Sequence, residues 1–523
     1  MTEATTPTTI AGCIRHWAAL RPDHPALRWA GGQLTYGELD ASTSRLAQAL
    51  GRAGVGRGDR VAYLDKNGPE QIELLFAAAK LGAVATPVNY RLAPPEIAYI
   101  VSDSGARFFA VGEEFLPAVQ KVEQDLGGPT TAVIGGSQGD WPSLADLVDG
   151  LPADDPGVEA GPDDDGCQLY SSGTTGLPKG VVLRQSNFEA GMKLYPTAMG
   201  LGPDSVSVVP MPLYHIGGTG WALAGLWQGA TDVIVREIVP SQLVETLIAE
   251  KVTHGFIVPA VIQFLLGVPG VEEQDWSHLR SILYGASPIA ETVLAKAVRT
   301  FGCDFVQAYG LTESTGTVIY LPAADHDPDG PNRHRLRACG IPIPGTEARI
   351  VDPLTGEDQA EGQVGEIWVK GPTVMTGYWH LPEQTAETIR DGWLRTGDAG
   401  YRDADGYFYI HDRVKDMIVS GAENIYPAEV ENVLMSHPDV ADAAVIGIPH
   451  DRWGETPRAV VVRAAGSDLT EEALIAYCRE RLAGFKCPTS VQWIDELPRN
   501  PSGKVLKKDL RAPFWEGRTR MVG

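Results

Sequence analysis

The run Tyr170-Ser171-Ser172-Gly173-Thr174-Thr175-Gly176-Leu177-Pro178-Lys179-Gly180 puts four Ser/Thr hydroxyls, three glycines and one lysine into eleven residues. Glycine lets backbone N–H groups come close to a ligand, hydroxyls add donors, and lysine adds a full positive charge. Together they have the chemistry of a phosphate cradle. The run is not a Walker A loop, which needs Gly-Lys-Ser/Thr running into a helix. Here Pro178 precedes the lysine, Gly180 follows it, and the apolar Val181-Val182-Leu183 reads as a strand. The spacing therefore predicts a strand–loop–strand whose loop lies over a phosphate. Composition alone suits a Ser/Thr/Gly surface loop equally well, so the rest of the chain must decide.

The scaffold has room for more than one core. A chain of 523 residues is too long for a single one, and 43% apolar with 21% charged content is ordinary for a globular protein. The net charge of −24 and pI near 4.9 argue against a general basic surface for nucleic acid or anionic lipid. An anionic ligand would need a local positive site, such as the loop at 170–180. The six cysteines (Cys13, Cys167, Cys303, Cys339, Cys478 and Cys487) stand far apart without metal or disulfide spacing. Reduced thiols and a cytoplasmic location are expected. The polar stretch Met1–Ile10 has no signal-peptide core, and the C-terminus matches no lipidation signal. The most apolar window, 255–271, is broken by Pro259, Gln263 and Pro269 and reads as buried core rather than a membrane span.

The elements that must carry the loop alternate between strand and helix. Val61–Leu64 reads as a strand, Pro69–Lys80 as a helix stopped by Gly82, and 84–88 and 107–111 as further strands. Such alternation predicts an α/β sheet. Residues 149–166 are a Gly/Pro/Asp connector, in which Asp163, Asp164 and Asp165 are read as solvated rather than metal-binding. Ser186 or Asn187 is expected to cap a helix. A strand at 205–209 ends near His215 and the side-chain-poor run Gly217-Gly218-Thr219-Gly220. Strands at 233–235, 282–284 and 305–309 and a helix at 241–251 follow. Near residue 410 the texture changes. A charged link, Asp412-Arg413-Val414-Lys415-Asp416, leads to a small α+β pattern: strands at 417–419, 443–448, 459–462 and 491–494, helices at 427–436 and 470–482.

Five motifs stand in one order: the loop at 170–180, Tyr309-Gly310-Leu311-Thr312-Glu313-Ser314, Thr396-Gly397-Asp398, the charged link at 412–416, and Pro498-Arg499-Asn500-Pro501-Ser502-Gly503-Lys504. Over nearly the whole chain this order resembles the adenylate-forming superfamily of acyl-CoA synthetases, peptide-synthetase adenylation domains and beetle luciferases. The resemblance implies a large α/β N-terminal domain (1–412) for ATP and acid, a hinge (413–416) and a small mobile α+β C-terminal domain (417–523). It also implies a two-step reaction. ATP and a carboxylate give an acyl adenylate and pyrophosphate, and a thiol then displaces AMP. An α/β-hydrolase is not expected.

Within that resemblance each motif has a physical task, because an acid approaching an anionic α-phosphate needs positioning and charge neutralisation. Ser171, Ser172, Gly173, Thr174, Thr175, Gly176 and Lys179 correspond to the cradle for the outer phosphates. Glu313 resembles the Mg²⁺ ligand and Thr312 the hydroxyl on the α-phosphate. Taken alone, Glu313 would more often be a helix-start carboxylate near a positive dipole end. Tyr309 resembles the adenine-stacking ring opposite Gly285, Ala286 and Ser287, with Gln307 and Gly310 beside it; on type alone it would be a core tyrosine. Asp398 resembles the acceptor for both ribose hydroxyls and Arg413 a second ribose contact, against the plainer readings of a turn aspartate and a surface ion pair. Lys504 resembles the catalytic lysine between carboxylate and α-phosphate, although a lysine after Pro-Ser-Gly is ordinarily a solvated turn residue. Lys415 sits where the family has its hinge. His215 resembles a gate beside the acyl carboxylate, with a hydrogen-bonded core histidine as the competing view. Zinc is not expected there.

The stretch Ser420-Gly421-Ala422-Glu423-Asn424-Ile425-Tyr426-Pro427 and the run Ala483-Gly484-Phe485-Lys486 resemble coenzyme A-using ligases. Ser420 and Gly421 would line the pantetheine, and Lys486 would meet a CoA phosphate. Ala422 departs from the second glycine common in relatives. The acyl pocket is expected to involve Trp221, Phe256, Val258, Gly285 and Gly310, with room for a large tail beside Gly217, Gly218 and Gly220. No basic residue marks a second carboxylate in these stretches, so an apolar acid is expected. A medium or long fatty acid leads, followed by a bulky aromatic, alicyclic or sterol side-chain acid. A freestanding enzyme using ATP, Mg²⁺ and soluble CoA is the economical reading. Its rivals are loading of a separate carrier protein and a nucleotide-dependent scaffold without catalysis. The oligomeric state, including a homodimer, stays open.

Overall fold

The computed structural model describes residues 7–171, 177–353, 355–413, 416–420, 423–425, 427–450, 452–499 and 505–516. Within them the α/β reading becomes two large sheets, a smaller third one and a separate C-terminal sheet.

The sheet that bears the hairpin expected to meet phosphate runs in the order Gly377–Tyr378, Lys179–Arg184, Asp165–Ser171, Val84–Pro87, Arg60–Leu64, Ala106–Gly112, Thr130–Ile134. Its inner pairs are parallel, and the Lys179–Arg184 and Gly377–Tyr378 strands close one edge antiparallel. The helix Pro69–Lys80 forms over the expected span. Pro69 opens it, where the missing N–H costs nothing, and Ile72, Leu75 and Phe76 are buried. Lys80 at its end is wholly buried, and its ammonium is satisfied by Asp40 O at 2.7 Å, Asp40 Oδ1 at 2.6 Å and Ser44 Oγ at 2.7 Å.

The second sheet is ordered Ile341–Pro342, Gly316–Leu321, Asp304–Leu311, Ser281–Gly285, His254–Phe256, Val206–Val209, Thr231–Ile234, Pro25–Trp29, Gly32–Thr35. The strands from Asp304–Leu311 to Pro25–Trp29 are parallel. In an open parallel sheet, ligands gather at the carboxyl ends of the strands. There lie Gly285, Gly310 and the turn Thr312–Ser314. The strand Thr231–Ile234 carries Asp232, which is fully buried opposite Ser207 and, among the described residues, has no hydrogen bond of good geometry to either carboxyl oxygen. Burial pushes this carboxyl well above its ordinary range.

A third sheet, Glu347–Val351, Gly365–Lys370, Trp393–Arg402 and Ile389–Arg390, takes Phe408–Arg413 onto Trp393–Arg402. Beyond it, Glu423–Ile425, Ile418–Ser420, Gly454–Arg463, Val440–His450 and Ser490–Trp493 form the C-terminal sheet, packed with the helices Pro427–Met435, Glu471–Arg479 and Lys507–Trp515. Its core, from Ile418 to Val491, shares no buried residue with the main core, which spans Ile10 to Phe408, among the described residues.

Two expectations change. The run at 217–220 belongs to the helix Ile216–Trp227, and the helix expected to be capped by Ser186 or Asn187 begins at Gln185. Asn187 instead stands at the third position, where its Oδ1 accepts the Arg184 N–H at 2.8 Å. The apolar window at 255–271 is core on one face, but Phe264 in the helix Pro259–Leu266 is 59% exposed. All six cysteines are free thiols, and burial raises each of them. Among the described residues no helix is long and apolar enough to cross a membrane.

Candidate active site

The strands Asp165–Ser171 and Lys179–Arg184 form the expected hairpin, and Ser171 is the register partner of Lys179 at its neck. Ser172, Gly173, Thr174, Thr175 and Gly176 lie outside the described residues. At the neck the Ser171 hydroxyl donates to Glu313 Oε1 at 3.3 Å, and the Tyr378 hydroxyl donates to the same oxygen at 2.9 Å. The Lys179 ammonium stands 4.7 Å from the centroid of the Tyr378 ring. Among the described residues neither Lys179 nor Glu313 forms an ion pair with a side chain. Lysine on one wall and glutamate on the other are thus each held by neutral groups, which leaves their charges for a ligand.

Glu313 occupies the single helical turn Thr312–Ser314 that ends the strand Asp304–Leu311. The backbone is reversed there by left-handed residues, Thr315 at φ 55° and Gly316 at φ 93°. The Thr315 hydroxyl donates to Thr373 O at 2.7 Å and Met375 N–H to Glu313 O at 2.9 Å, so the turn is tied to the segment that leads to Tyr378.

The residues expected beside the nucleotide base stand on two adjacent parallel strands. Tyr284 is the partner of Gln307, and Gly285 of Ala308. Ala286 follows at φ 67°, a left-handed backbone that alanine adopts only under constraint, and Ser287 comes next. Tyr309 and Asp398 are joined: the phenol donates to Asp398 Oδ2 at 2.7 Å, with both residues less than a tenth exposed. Burial first, and then the Asp398 carboxylate, drive the Tyr309 phenol well above its ordinary range. One of the two carboxylate oxygens expected on the ribose is therefore engaged by the tyrosine expected on the base. Asp398 is the register partner of Arg413, whose side chain lies outside the described residues.

The expected room for an acyl tail is corrected. A Cβ at Gly217 would stand 2.7 Å from Phe256 Cε1, one at Gly218 2.0 Å from Pro212 O, and one at Gly220 3.5 Å from Ile216 Cδ1. Gly220 has only ordinary contact with its own helix, whereas Gly217 and Gly218 let the helix pack closely rather than leave a void. The same holds at Gly285, whose Cβ would meet Ala308 O at 2.1 Å, and at Gly310, whose Cβ would meet Gly316 O at 1.6 Å. Trp221 and Phe256 come together as expected, with ring centroids 6.4 Å apart, and Tyr195 lies edge-on to Trp221 at 5.7 Å. Trp221 is buried and donates Nε1–H to Val208 O at 2.9 Å. Val258 caps the neighbouring helix Pro259–Leu266. His215 is the N-cap of Ile216–Trp227, its Nδ1 accepting the Gly217 N–H at 3.1 Å. Accepting that hydrogen bond is a structural task, and it fixes the ring at the start of the helix.

On the C-terminal sheet Ser420 is the register partner of Gly454. Gly421, Lys415 and Lys504 lie outside the described residues. The residues flanking the Lys504 segment, Arg499 and Val505, are bridge partners, and Leu506 N–H donates to Pro498 O at 2.8 Å. Lys486 is held by Glu429, with Nζ at 2.7 and 2.8 Å from its two oxygens. Sequence reasoning gave no role to two aromatics here, although Phe485 stood in the run quoted for coenzyme A. Trp453 is 45% and Phe485 43% exposed, and each has a neighbouring cation over its ring, Arg452 at 4.4 Å and Lys486 at 5.8 Å. The adjacent pairs Arg452-Trp453 and Phe485-Lys486 were the signal available. Elsewhere, Gly135-Gly136-Ser137-Gln138-Gly139 has the letters of a nucleophile elbow, but its serine is exposed in a loop and does not open a helix, the next one being Leu144–Val148.

Residues 14–379 match the family described as AMP-binding enzyme, and residues 429–504 match the AMP-binding enzyme C-terminal domain. A protein of Streptomyces coeruleorubidus named fatty acid–[acyl-carrier-protein] ligase ScoC is 41% identical over 510 residues, 96% of this chain and 95% of that protein. A feruloyl-CoA synthase of an Amycolatopsis species is 40% identical over 498 residues, 95% of this chain and 97% of that one. Among solved structures, the anthranilate CoA ligase AuaEII in complex with anthranoyl-AMP superposes with a TM-score of 0.89 at 26% identity, covering 98% of both chains.

Proposed function

The chain belongs to the AMP-binding enzyme family, and from that premise we propose that it joins an apolar carboxylic acid to coenzyme A through an acyl adenylate. The observation that carries this reading is that Ser171 and Tyr378 both donate to Glu313 while Lys179 stands over the Tyr378 ring, beside the strands that end in Gly285 and Tyr309. In the first step a carboxylate oxygen of the acid bonds to the α-phosphorus of ATP, and the bond to the β-phosphate oxygen breaks as pyrophosphate leaves. In the second, the CoA sulfur bonds to the acyl carbon and the bond to the AMP oxygen breaks. Lys179 stabilises the charge on the outer phosphates, and Lys504 that between carboxylate and α-phosphate.

Mg²⁺ suits this site as a guest of the nucleotide. Among the described residues no three His, Cys, Asp or Glu side chains gather into a metal cluster, so these residues alone make no complete cage. Glu313 presents one carboxylate with hydroxyl partners, the usual protein share for a magnesium ion that completes its shell with phosphate oxygens and water. The ion would supply neutralisation of phosphate charge.

The domains proposed are 1–412 and 417–523, with 413–416 as hinge, and Ser420, Gly421 and Lys486 are assigned to CoA. Trp453 and Phe485 add stacking surfaces for its base. A medium or long fatty acid leads as substrate. A flat aromatic acid is the second reading, favoured by the rings of Tyr195, Trp221 and Phe256 in place of the expected open space.

A panel of acids screened by pyrophosphate release with ATP and Mg²⁺, then by mass spectrometry after adding free CoA, tests the proposal. Acyl-CoA from the preferred acid is expected. Acyl-AMP without acyl-CoA would move the acceptor to a carrier protein. No pyrophosphate with any acid, together with no ATP binding, would end the reading. Lys504→Ala is expected to abolish adenylation and to spare thioester formation from supplied acyl-AMP.

A further inference from the structure

Tyr378 touches both charged walls of the site and stands in none of the motifs that suggested it. Its hydroxyl donates to Glu313 Oε1 at 2.9 Å, and its ring lies under the Lys179 ammonium at 4.7 Å. It reaches this place through a two-residue strand, Gly377–Tyr378, paired antiparallel with the strand that begins at Lys179. The register sets Tyr378 opposite Val181, two residues from Lys179 and on the same face of the strand.

The pairing is locked from the next residue. Trp379 N–H donates to Gly180 O at 2.7 Å, and its indole N–H donates to Asp103 O at 3.1 Å. The Arg60 guanidinium lies 3.5 Å above its ring. Backbone, indole and cation contacts therefore fix the strand in register. On the other side, the Tyr378 N–H donates to the Thr385 hydroxyl at 2.9 Å. A side chain held so firmly at its base can orient what its tip touches.

We propose that Tyr378 is a positioning residue with two separable tasks: its hydroxyl aims the Glu313 carboxylate, and its ring holds the Lys179 ammonium in place at the neck of the hairpin, opposite Ser171. The inference rests on the ATP-dependent ligase reading given above. The two tasks belong to different atoms of one side chain. Tyr378→Phe removes the first and keeps the second, whereas Tyr378→Leu removes both. A hydrogen bond to a carboxylate is worth more than one between neutral groups, and a cation over a ring adds a smaller amount.

The test is ATP binding by titration calorimetry on the full-length chain, with and without Mg²⁺, next to the pyrophosphate-forming rate. Tyr378→Phe is expected to leave metal-free ATP affinity unchanged and to raise the Mg²⁺ concentration for half-maximal enhancement of binding about tenfold. Tyr378→Leu is expected to weaken metal-free binding several-fold as well. Thioester formation from supplied acyl-AMP should match the parent in both variants. Should the Leu variant fail to fold, the Phe variant carries the test alone. A Phe variant with parental magnesium dependence overturns the proposal, as does equal loss in both half-reactions. If the parent chain itself binds no ATP, the ligase reading falls instead, which separates the two failures.

Discussion

The Tyr309 hydroxyl donates to Asp398 Oδ2 at 2.7 Å, linking two residues 89 positions apart in the sequence and in different sheets. The residues proposed for the base and for the ribose are thereby one mechanical unit. Tyr309→Phe would leave a buried carboxylate with one partner fewer. It should lower unfolding stability by about 1–3 kcal/mol and raise the KM for ATP more than it lowers kcat. Urea unfolding and initial rates check both. Asp398→Asn keeps an acceptor for the phenol and should recover stability better than ATP affinity.

Gly310→Ala should be among the most damaging small substitutions in the chain. The added methyl would sit 1.6 Å from Gly316 O, backbone that cannot swing away as a side chain could. A loss above about 3 kcal/mol is expected. Gly220→Ala, which meets only Ile216 at 3.5 Å, is the contrasting case and should be nearly neutral. Parallel denaturant curves for the two variants test the difference.

Glu429 and Lys486 make opposite predictions for CoA. Lys486→Ala should raise the KM for CoA several-fold and leave pyrophosphate release from ATP and acid unchanged. Glu429→Gln frees the ammonium that its carboxylate now holds at 2.7 Å, and should lower that KM. A rise with both substitutions would show that the pair acts as a structural bridge.

Acid should destabilise the fold partly through His326. Its ring is buried, with Nδ1 donating to Pro322 O at 2.9 Å and Nε2 accepting from the Tyr284 hydroxyl at 3.0 Å. Burial lowers its pKa from 6.5 to about 4. The unfolded chain then takes up the proton more readily than the folded one. This contribution is full above pH 6.5 and is lost as pH falls towards about 4. His326→Gln should flatten the acid limb of a stability–pH profile over that window. Tyr284 stands beside Gly285, so ATP affinity should follow the same limb.

Asp232 has the opposite sign. Its carboxyl is raised well above 3.8 by burial, so the folded chain holds this proton where the unfolded chain releases it. The associated stability is full below the unfolded value and declines as pH rises, by up to roughly 1.4 kcal/mol per unit. Asp232→Asn should therefore gain on the parent as pH goes from acid to neutral, measured by the same profile. Gly225 must stay glycine whichever residue is present, because a Cβ there would meet Asp232 Oδ1 at 2.0 Å.

Local signals account for what was legible in the sequence. Pro69–Lys80 carried a proline start, an apolar face and a glycine stop, and it forms over that span. The phosphate hairpin was marked by its composition and the apolar run after it. The helix Ile216–Trp227 was not legible, because three glycines in five residues argue for a loop by propensity. The close approach of Pro212 and Phe256 reverses that preference, and such tertiary packing leaves no trace in the local pattern. The join between Tyr309 and Asp398 was hidden for the same reason: each motif named its residue, but neither named the other. Tyr378 belonged to no motif and gained its place only through strand pairing.

That pairing sets an order of events for the growing polypeptide. The edge of the hairpin strand Lys179–Arg184 is covered by Gly377–Tyr378, made almost two hundred codons later. At about 5–20 residues per second, the ribosome leaves that edge bare for some ten to forty seconds. For this interval the nascent chain presents unpaired backbone to its surroundings, a template for sticking to its neighbours. A message truncated before codon 378 would make the exposure permanent, and its product should be found in inclusion bodies or with chaperones rather than as a smaller nucleotide-binding protein.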